Sequence, residues 1–280
     1  MTALIAVLAA AGIVLVLQLM LPWHQVRRRK RLLARGFAPE WRPTLERHAP
    51  IYQRLPAQLR PRLESLIGVF LAEKEFIGCA GLGMTLPMKL GIAAQACLLI
   101  VNRTDGRVYD ELSSILVYPA AFMVPETEVD DAGVVTEERR ELIGQTFDTG
   151  RIVLSWADVE DGARGAADGV NVVLHEFAHY LDNEQAAARG APLAGTRADH
   201  ERRAAALGSA YARLWHRVRR GRATVIDDYA LEDEGEFFAV ATEAFFEQPG
   251  ALRAEDADLY GLLERFYGLD PASWPAHAQV

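Results

Sequence analysis

The chain has 280 residues, of which 50% are hydrophobic and 24% are charged, a balance that excludes a wholly disordered or fibrous protein. Its net charge of −8 argues against direct nucleic-acid binding, which needs a basic face. The two cysteines, Cys79 and Cys97, are too few for a disulfide scaffold or a four-cysteine zinc site.

The first predicted element is a transmembrane helix at residues 1–23. Between Ala3 and Leu21 every residue is apolar or small except Gln18, and such a helix spans about 28 Å, close to the thickness of a bilayer core. A cleaved signal peptide is disfavoured because no Lys or Arg precedes the apolar stretch. A buried core helix is the other alternative, but it has no obvious partner.

Five basic residues follow at positions 27–31, and the positive-inside rule therefore places the rest of the chain in the cytoplasm. The sequence predicts a single-pass protein of the inner (cytoplasmic) membrane, whose N-terminal helix contacts the lipid. Residues 24–50 are predicted to form a basic linker, residues 51–270 a folded domain and residues 271–280 a C-terminal tail.

Hydrophobic spacing in the folded domain predicts more helices than strands, and the strands do not alternate regularly with helices. That arrangement is typical of the α+β class, with a small sheet packed against helices. The segment from Val124 to Glu141 is acidic and is predicted to be a surface excursion. The predicted strands are Ser113–Tyr118 and Arg151–Trp156, and the predicted helices are Gln58–Phe76, Pro87–Ile100, Gly169–Gln185, Asp199–Arg219, Glu232–Glu247 and Asp256–Tyr267.

A His-Glu-Phe-Ala-His motif at residues 175–179 carries the main chemical signal of the chain. His175 and His179 share one face of the predicted helix, where two imidazoles can bind one zinc ion. Glu176 projects about 100° away from His175, so it can reach a water beside the metal without being a ligand. The alternative is that these side chains are merely solvated. However, the helix is apolar on most sides, and buried imidazoles and carboxylates need partners.

A catalytic zinc ion needs a third protein ligand and one open position. Glu236 and Glu243 lie on one stripe of a predicted helix whose other faces carry phenylalanines. We expect Glu236 to be the third ligand and Glu243 to support a ligand imidazole. The alternative for Glu236 is an N-terminal carboxylate stabilised by the helix dipole. Asp182 is expected either to hydrogen-bond a ligand imidazole or to cap its helix.

Several stretches of the chain match a known family in both order and spacing. They are Tyr118–Phe122, Gly150–Trp156, Asn171–Asp182, Asp228–Ala230, and Glu236–Val240 with Glu243–Phe246. On these residues the chain resembles the Mlc titration factor A family of bacterial zinc-dependent peptidases, over most of the part that follows the predicted linker. The later stretches are more specific than the His-Glu-x-x-His motif, which many peptidases share.

The resemblance assigns roles to individual residues. It implies that His175, His179 and Glu236 bind one zinc ion per chain. It also implies that Glu176 is the catalytic base for a water activated by zinc and that Tyr229 approaches the metal. We expect the Tyr229 hydroxyl to stabilise the oxyanion there. The alternative for Tyr229 is a loop aromatic that caps the following helix.

The resemblance also implies a fold similar to the zincin-type catalytic domain of anthrax lethal factor. In that architecture an edge strand of the sheet pairs with the extended substrate. We expect Arg151–Trp156 to be this edge strand.

Three functions follow from these observations. The first is a zinc-dependent peptidase of aminopeptidase type acting on a peptide or protein, because family members cleave small chromogenic peptides. The second is a regulatory protein that binds a transcriptional repressor, because the founding member binds Mlc, a repressor of glucose phosphotransferase genes. The third is a zinc hydrolase that does not act on peptides. The presence of ligands, a base and a candidate oxyanion donor favours the first.

Overall fold

The structure is a computed structural model, and it describes residues 27–33, 37–120, 122–129, 135–142, 144–147, 150–163, 169–187 and 197–275. The helices are α1 (27–33), α2 (Arg42–His48), α3 (Ile51–Arg54), α4 (Arg60–Glu73), α5 (Leu86–Leu99), α6 (Trp156–Ala163), α7 (Val172–Ala187), α8 (Arg197–Val218), α9 (Glu234–Glu247), α10 (Pro249–Glu255) and α11 (Ala257–Tyr267). The strands are β1 (Glu75–Gly78), β2 (Ser114–Tyr118), β3 (Phe122–Val129), β4 (Val135–Leu142), β5 (Gly144–Phe147) and β6 (Arg151–Ser155).

Four of the strands form a small sheet in the order β1-β2-β6-β5. Strands β1, β2 and β6 are parallel to one another, and β5 runs antiparallel to β6. Strands β3 and β4 form a separate antiparallel hairpin. The described residues form many helices, one four-stranded sheet and a separate hairpin, which confirms the predicted α+β class.

The central strands are buried along most of their length. In β6 every residue from Ile152 to Ser155 is buried, and Ile115 and Val117 of β2 are fully buried. A continuous buried run is typical of a parallel strand covered on both faces. Helix α7 packs against β5 and β6, so the helix with the two histidines lies beside this part of the sheet.

Most predicted elements are present, but the first residues of β1 were predicted to belong to a helix. The predicted helix Gln58–Phe76 ends at Glu73, because Lys74 is extended and Glu75 N–H donates to the carbonyl of Ser113 at 3.0 Å. The Lys74 ammonium also donates to the carbonyl of Leu112 at 2.8 Å. These are contacts with a distant segment, and helical spacing within the sequence cannot show them. The predicted acidic excursion, Val124 to Glu141, lies within the hairpin of β3 and β4, so it includes paired strands that the sequence did not predict.

The prediction that Arg151–Trp156 is an edge strand is wrong. This segment is β6, which pairs with β2 on one side and with β5 on the other. The antiparallel strand β5 occupies the end of the sheet beyond β6. β5 has only four residues and begins with a glycine, so it carried no strand signal in the sequence.

Part of the segment predicted as a linker is packed against the domain. Leu45 and Ala49 are fully buried, and α2 packs against α5. In α1, Arg29 forms ion pairs with Glu73 at 2.7 Å and with Asp110 at 2.6 Å. The basic composition of this segment concealed its buried positions. The folded region therefore begins before residue 51.

The predictions for the two ends of the chain have different outcomes. The predicted transmembrane segment, 1–23, lies outside the described residues, and among the helices that are described none is long and apolar enough to span a bilayer. The predicted tail 271–280 begins with a 3-10 turn, Pro271–Ser273. Trp274 is buried, with its ring centroid 6.4 Å from that of Phe246, so the start of this tail packs on the domain.

Helices α7 and α9 pack side by side in the core. Phe177 of α7 is fully buried, with ring centroids of Phe70 and Tyr109 at 5.8 and 4.8 Å. Burial of one such side chain contributes about 1.5–3 kcal/mol. Helix α9 buries Phe237, Phe238, Phe245 and Phe246. This apolar packing determines which sides of the two helices remain for polar chemistry.

Candidate metal centre

Helix α7 carries both histidines of the motif, and Asn171 begins its first turn. Asn171 Oδ1 accepts a hydrogen bond from Leu174 N–H at 3.1 Å, and the Asn171 carbonyl accepts one from His175 N–H at 3.0 Å. The apolar residues of α7 enter the core. His175 and His179 therefore project together from another side of the helix, one turn apart.

Helix α9 begins immediately before the predicted third ligand. Asp233 is its N-cap, and Oδ1 accepts hydrogen bonds from Gly235 N–H at 2.7 Å and from Glu236 N–H at 2.9 Å. The cap holds the first turn of α9, and Glu236 lies in that turn. A Cβ added at Gly235 would lie only 3.1 Å from Asp233 Oδ1, a tight contact, and 3.7 Å from the His179 ring, so the start of α9 lies directly against the side chain of His179.

The three predicted ligands converge on one point. His175 Nε2 lies 3.1 Å from Glu236 Oε2 and 3.1 Å from His179 Nε2, and His179 Nε2 lies 3.3 Å from Glu236 Oε1. Ligands at about 2.0–2.2 Å from a tetrahedral zinc ion are separated by about 3.3 Å. The side chains are 14–19% exposed, so a small ion has access to this point.

The donor atoms of this cluster suit a cation. Two imidazole nitrogens and a carboxylate are ligands that zinc prefers. Glu236 Oε2 is buried and accepts no hydrogen bond of acceptable geometry, which leaves its lone pairs directed at the cluster. Within the part of the chain that the structure describes, this is the one group of three His, Cys, Asp or Glu side chains arranged to hold a metal.

Glu243 lies behind His175, on the side away from the cluster. Its Oε1 is 2.7 Å from His175 Nδ1, and its Oε2 accepts a hydrogen bond from Asn171 N–H. When Nδ1–H donates to this carboxylate, the lone pair of His175 Nε2 is free for a metal. This is the contact that the sequence predicted for Glu243.

The electrostatics of the cluster also favour a positive charge. Burial lowers the pKa of His175, but the adjacent carboxylates of Glu236 and Glu243 outweigh it and raise the value to about 10. Burial raises the pKa of Glu236, and the two histidines outweigh this effect and lower it to about 2. A site that stabilises a proton so strongly also stabilises a divalent cation, with which the proton competes.

Comparison with known proteins gives the family. The family model described as Glucose-regulated metallo-peptidase M90 matches residues 23–268, which is most of the chain. The chain belongs to this metallopeptidase family. Membership implies a metal ion, and the His175, His179 and Glu236 cluster fits one.

Individual relatives agree with this assignment. An uncharacterized protein of Synechocystis sp. is 38% identical over 245 residues, which cover 87% of this chain and 89% of the relative. Mlc titration factor A of Pectobacterium atrosepticum is 34% identical, covering 79% of this chain and 83% of the relative. The protein of the same name from Escherichia fergusonii is 31% identical, with coverages of 83% and 87%. The resemblance stated from the sequence is confirmed.

Two further residues of this M90 family member lie beside the cluster. Glu176 is 3% exposed, and its charge raises the pKa of both His175 and Tyr229. Tyr229 is 47% exposed, with its ring centroid 6.3 Å from that of His175. Burial and then the charge of Glu236 raise the pKa of Tyr229 to about 12, so its hydroxyl stays protonated at neutral pH and can donate. Asp233, and not Tyr229, caps α9.

Asp182 does not have either of its two predicted roles. Its Oδ1 forms an ion pair with Arg203 of α8 at 3.1 Å. Helix α7 continues to Ala187, so Asp182 is not at the helix end. The Arg203 guanidinium also lies 4.7 Å from the ring centroid of Phe266. Asp182 therefore connects α7 with α8, a contact that local spacing cannot predict.

The sequence reasoning passed over Asn171 and Asp233, although both carried a signal. Each precedes a helix, and Asn and Asp are preferred N-cap residues. Asp233 also stands three residues before Glu236, the spacing of a capping box. Strand β5, which the sequence did not reveal either, had no comparable signal.

Proposed function

We propose that this chain is a zinc-dependent peptidase of aminopeptidase type. The observation that carries the proposal is the convergence of His175, His179 and Glu236 within 3.3 Å of one another. Membership of a metallopeptidase family supports it. The zincin-like architecture is part of the same proposal.

Each residue of the site has a distinct part in the proposed reaction. His175, His179 and Glu236 would hold a zinc ion, which would supply Lewis-acid chemistry for the peptide carbonyl and for a water whose pKa zinc lowers to about 7. Glu176 accepts the proton of the attacking water and passes it to the leaving amine. The Tyr229 hydroxyl donates a hydrogen bond to the oxygen on which negative charge develops.

Strand β5 is the proposed docking strand for an extended substrate. It is antiparallel to β6 at the end of the sheet, and it contacts α7. A peptide added beyond β5 would use backbone hydrogen bonds, which provide affinity with little dependence on sequence. Strand β6 cannot have the docking role that the sequence predicted for it, because it is paired on both sides.

The decisive experiment measures hydrolysis of small chromogenic peptides by the purified full chain. We expect chelation to abolish hydrolysis and zinc to restore it. Glu176→Gln should bind zinc normally and lose about 10²–10⁴-fold in kcat, the usual contribution of a general base. Glu264→Gln changes an exposed glutamate on α11 and serves as the matched control. Normal hydrolysis by Glu176→Gln would overturn the proposal.

A second candidate function is repressor binding, with hydrolysis secondary. Two relatives carry the name Mlc titration factor A, and this observation favours it. The test is binding of a purified Mlc-type repressor to the wild-type chain and to Glu176→Gln. Equal binding by both proteins, without detectable peptide cleavage by the wild type, would favour this function over the first.

We also propose that residues 1–23 anchor the chain in the inner membrane, with the domain in the cytoplasm. The apolar stretch from Ala3 to Leu21, in which Gln18 is the one exception, and the basic residues 27–31 support this location.

A further inference from the structure

Asn171 joins three helices directly behind the metal-binding cluster. It precedes α7, and its side-chain Nδ2 donates to Gln95 Oε1 of α5 at 2.6 Å and to Glu247 Oε1 of α9 at 2.9 Å. Its Oδ1 accepts from Leu174 N–H at 3.1 Å. The side-chain oxygen and both hydrogens of the amide are therefore used.

The same residue reaches a predicted metal ligand through Glu243. Asn171 N–H donates to Glu243 Oε2, and Glu243 Oε1 contacts His175 Nδ1 at 2.7 Å. A continuous path of hydrogen bonds therefore runs from the backbone N–H of Asn171 through the Glu243 carboxylate to the His175 imidazole.

Helix capping alone does not account for the contacts of Asn171. A cap requires only an acceptor oxygen, which Ser or Asp supplies as well as Asn. The two donated hydrogen bonds reach α5 and α9 instead. Gln95, Asn171 and Glu243 are all buried, where water cannot replace a lost partner and hydrogen bonds are stronger than at the surface.

We propose that Asn171 is a positioning residue for metal binding. Its side-chain amide is held by Gln95 and Glu247, and this fixes the position of its backbone N–H. The backbone N–H orients the Glu243 carboxylate, and Glu243 in turn orients the His175 imidazole. This inference rests on the proposed zinc site and adds a residue that touches neither metal nor substrate. Loss of a partner behind a metal ligand typically lowers metal affinity about 10–100-fold.

The test is the zinc affinity of Asn171→Ser, measured by chelator competition with the purified full chain. Serine keeps a capping oxygen but is too short to reach Gln95 and Glu247. We expect zinc affinity to fall about 10-fold. The unfolding midpoint of the metal-free protein is measured in parallel. Wild-type zinc affinity in Asn171→Ser would overturn the proposal and leave Asn171 as a helix cap only.

Asp256→Ser is the matched control, because Asp256 is also an N-cap with contacts to another helix. It caps α11 through Leu259 N–H at 3.0 Å and pairs with Arg213 of α8 at 2.8 Å. We expect this variant to lower the unfolding midpoint and to leave zinc affinity unchanged. An equal loss of zinc affinity in both variants would attribute the effect to general destabilisation and overturn the proposal.

A double-mutant cycle tests the path through Glu243. Glu243→Ala should lower zinc affinity by itself. Adding Asn171→Ser to it should cause no further loss, because the route from Asn171 to His175 is already broken. Losses that multiply would show that the two residues act independently and would contradict the proposed path.

An exchange of side-chain groups provides a second route if Asn171→Ser does not fold. Asn171→Asp replaces the donor facing Glu247 with an acceptor and should lower zinc affinity. Adding Glu247→Gln returns a donor to that pair and should restore affinity towards wild type; no recovery would overturn the proposal.

A wild-type chain unable to bind zinc would overturn the proposed function as well, whereas normal binding by wild type and all variants would overturn this inference alone.

Discussion

At the residue scale, the His175 imidazole lies between two carboxylates, and each carboxylate has a different effect on the ring. Glu243 contacts Nδ1 at 2.7 Å, whereas Glu236 lies 3.1 Å from Nε2. The first contact selects the tautomer of the ring, and the second places a negative charge where a cation would bind. The two glutamates lie on the same helix, two turns apart, so the packing of α9 on α7 sets both contacts at once.

Glu236→Ala is predicted to lower zinc affinity by more than 10²-fold, because it removes a metal ligand and not an outer partner. The measurement is zinc content after reconstitution and dialysis. Glu234→Ala is the control, since it removes an exposed carboxylate from the same first turn and tests the helix-dipole explanation. Normal zinc content in Glu236→Ala would place the third ligand elsewhere.

Tyr229→Phe is predicted to lower kcat by about 10²-fold, the effect of removing one oxyanion donor, with little change in zinc content. Steady-state kinetics on a chromogenic peptide measure this. Tyr211→Phe removes a different hydroxyl, which donates at 2.9 Å to the carbonyl of Leu231, in the same 3-10 turn as Tyr229 (Asp228–Leu231). An equal loss in both variants would indicate that Tyr229 only maintains the turn.

At the scale of the element, the start of α9 determines where Glu236 lies. Asp233 Oδ1 accepts two backbone hydrogen bonds, one of them from Glu236 itself. Asn171 has the corresponding position before α7. Each helix of the site therefore has its own cap, Asn171 for α7 and Asp233 for α9, and both caps lie outside the His-Glu-x-x-His motif.

Asp233→Ala is predicted to destabilise the metal-free protein by about 1 kcal/mol, the usual effect of losing an N-cap, and to weaken zinc binding because the turn of Glu236 frays. Urea denaturation and chelator competition measure the two effects. Asp233→Asn keeps the capping oxygen and should resemble the wild type. Equal destabilisation by both substitutions would contradict the capping role.

The sequence predicted helices better than strands for a physical reason. A helix such as α7 makes its hydrogen bonds within the segment, so apolar spacing and caps are visible locally. Strands β1 and β5 are short, and each is extended because it pairs with another strand: β1 with the distant β2, and β5 with β6, which follows it closely in the chain. Their extended conformation is decided by the partner and not by their own residues.

At the scale of the whole molecule, two packed helices and the sheet beside them assemble the candidate site. Helix α7 contacts α9, β5 and β6, so the metal-binding cluster and the proposed docking strand share one neighbour. A change that shifts α7 on the sheet would therefore alter both metal and substrate binding. The proposed anchor would hold this whole assembly near the membrane.

The full chain is predicted to remain with the membrane fraction after a wash with about 1 M salt, because salt screens the basic residues 27–31 but not an apolar helix. A variant lacking residues 2–23 should move to the soluble fraction. Fractionation followed by immunodetection measures both. Release of the full chain by salt would contradict a transmembrane anchor and favour electrostatic attachment.

The sequence by itself determined the α+β class, the face shared by His175 and His179, and the stripe shared by Glu236 and Glu243, because helical periodicity is a local property. Only the tertiary structure decided that these two surfaces meet, that Asp182 pairs with Arg203, and that β5 and not β6 ends the sheet. Those outcomes depend on how separate segments pack and pair with one another, and no spacing within one segment contains that information.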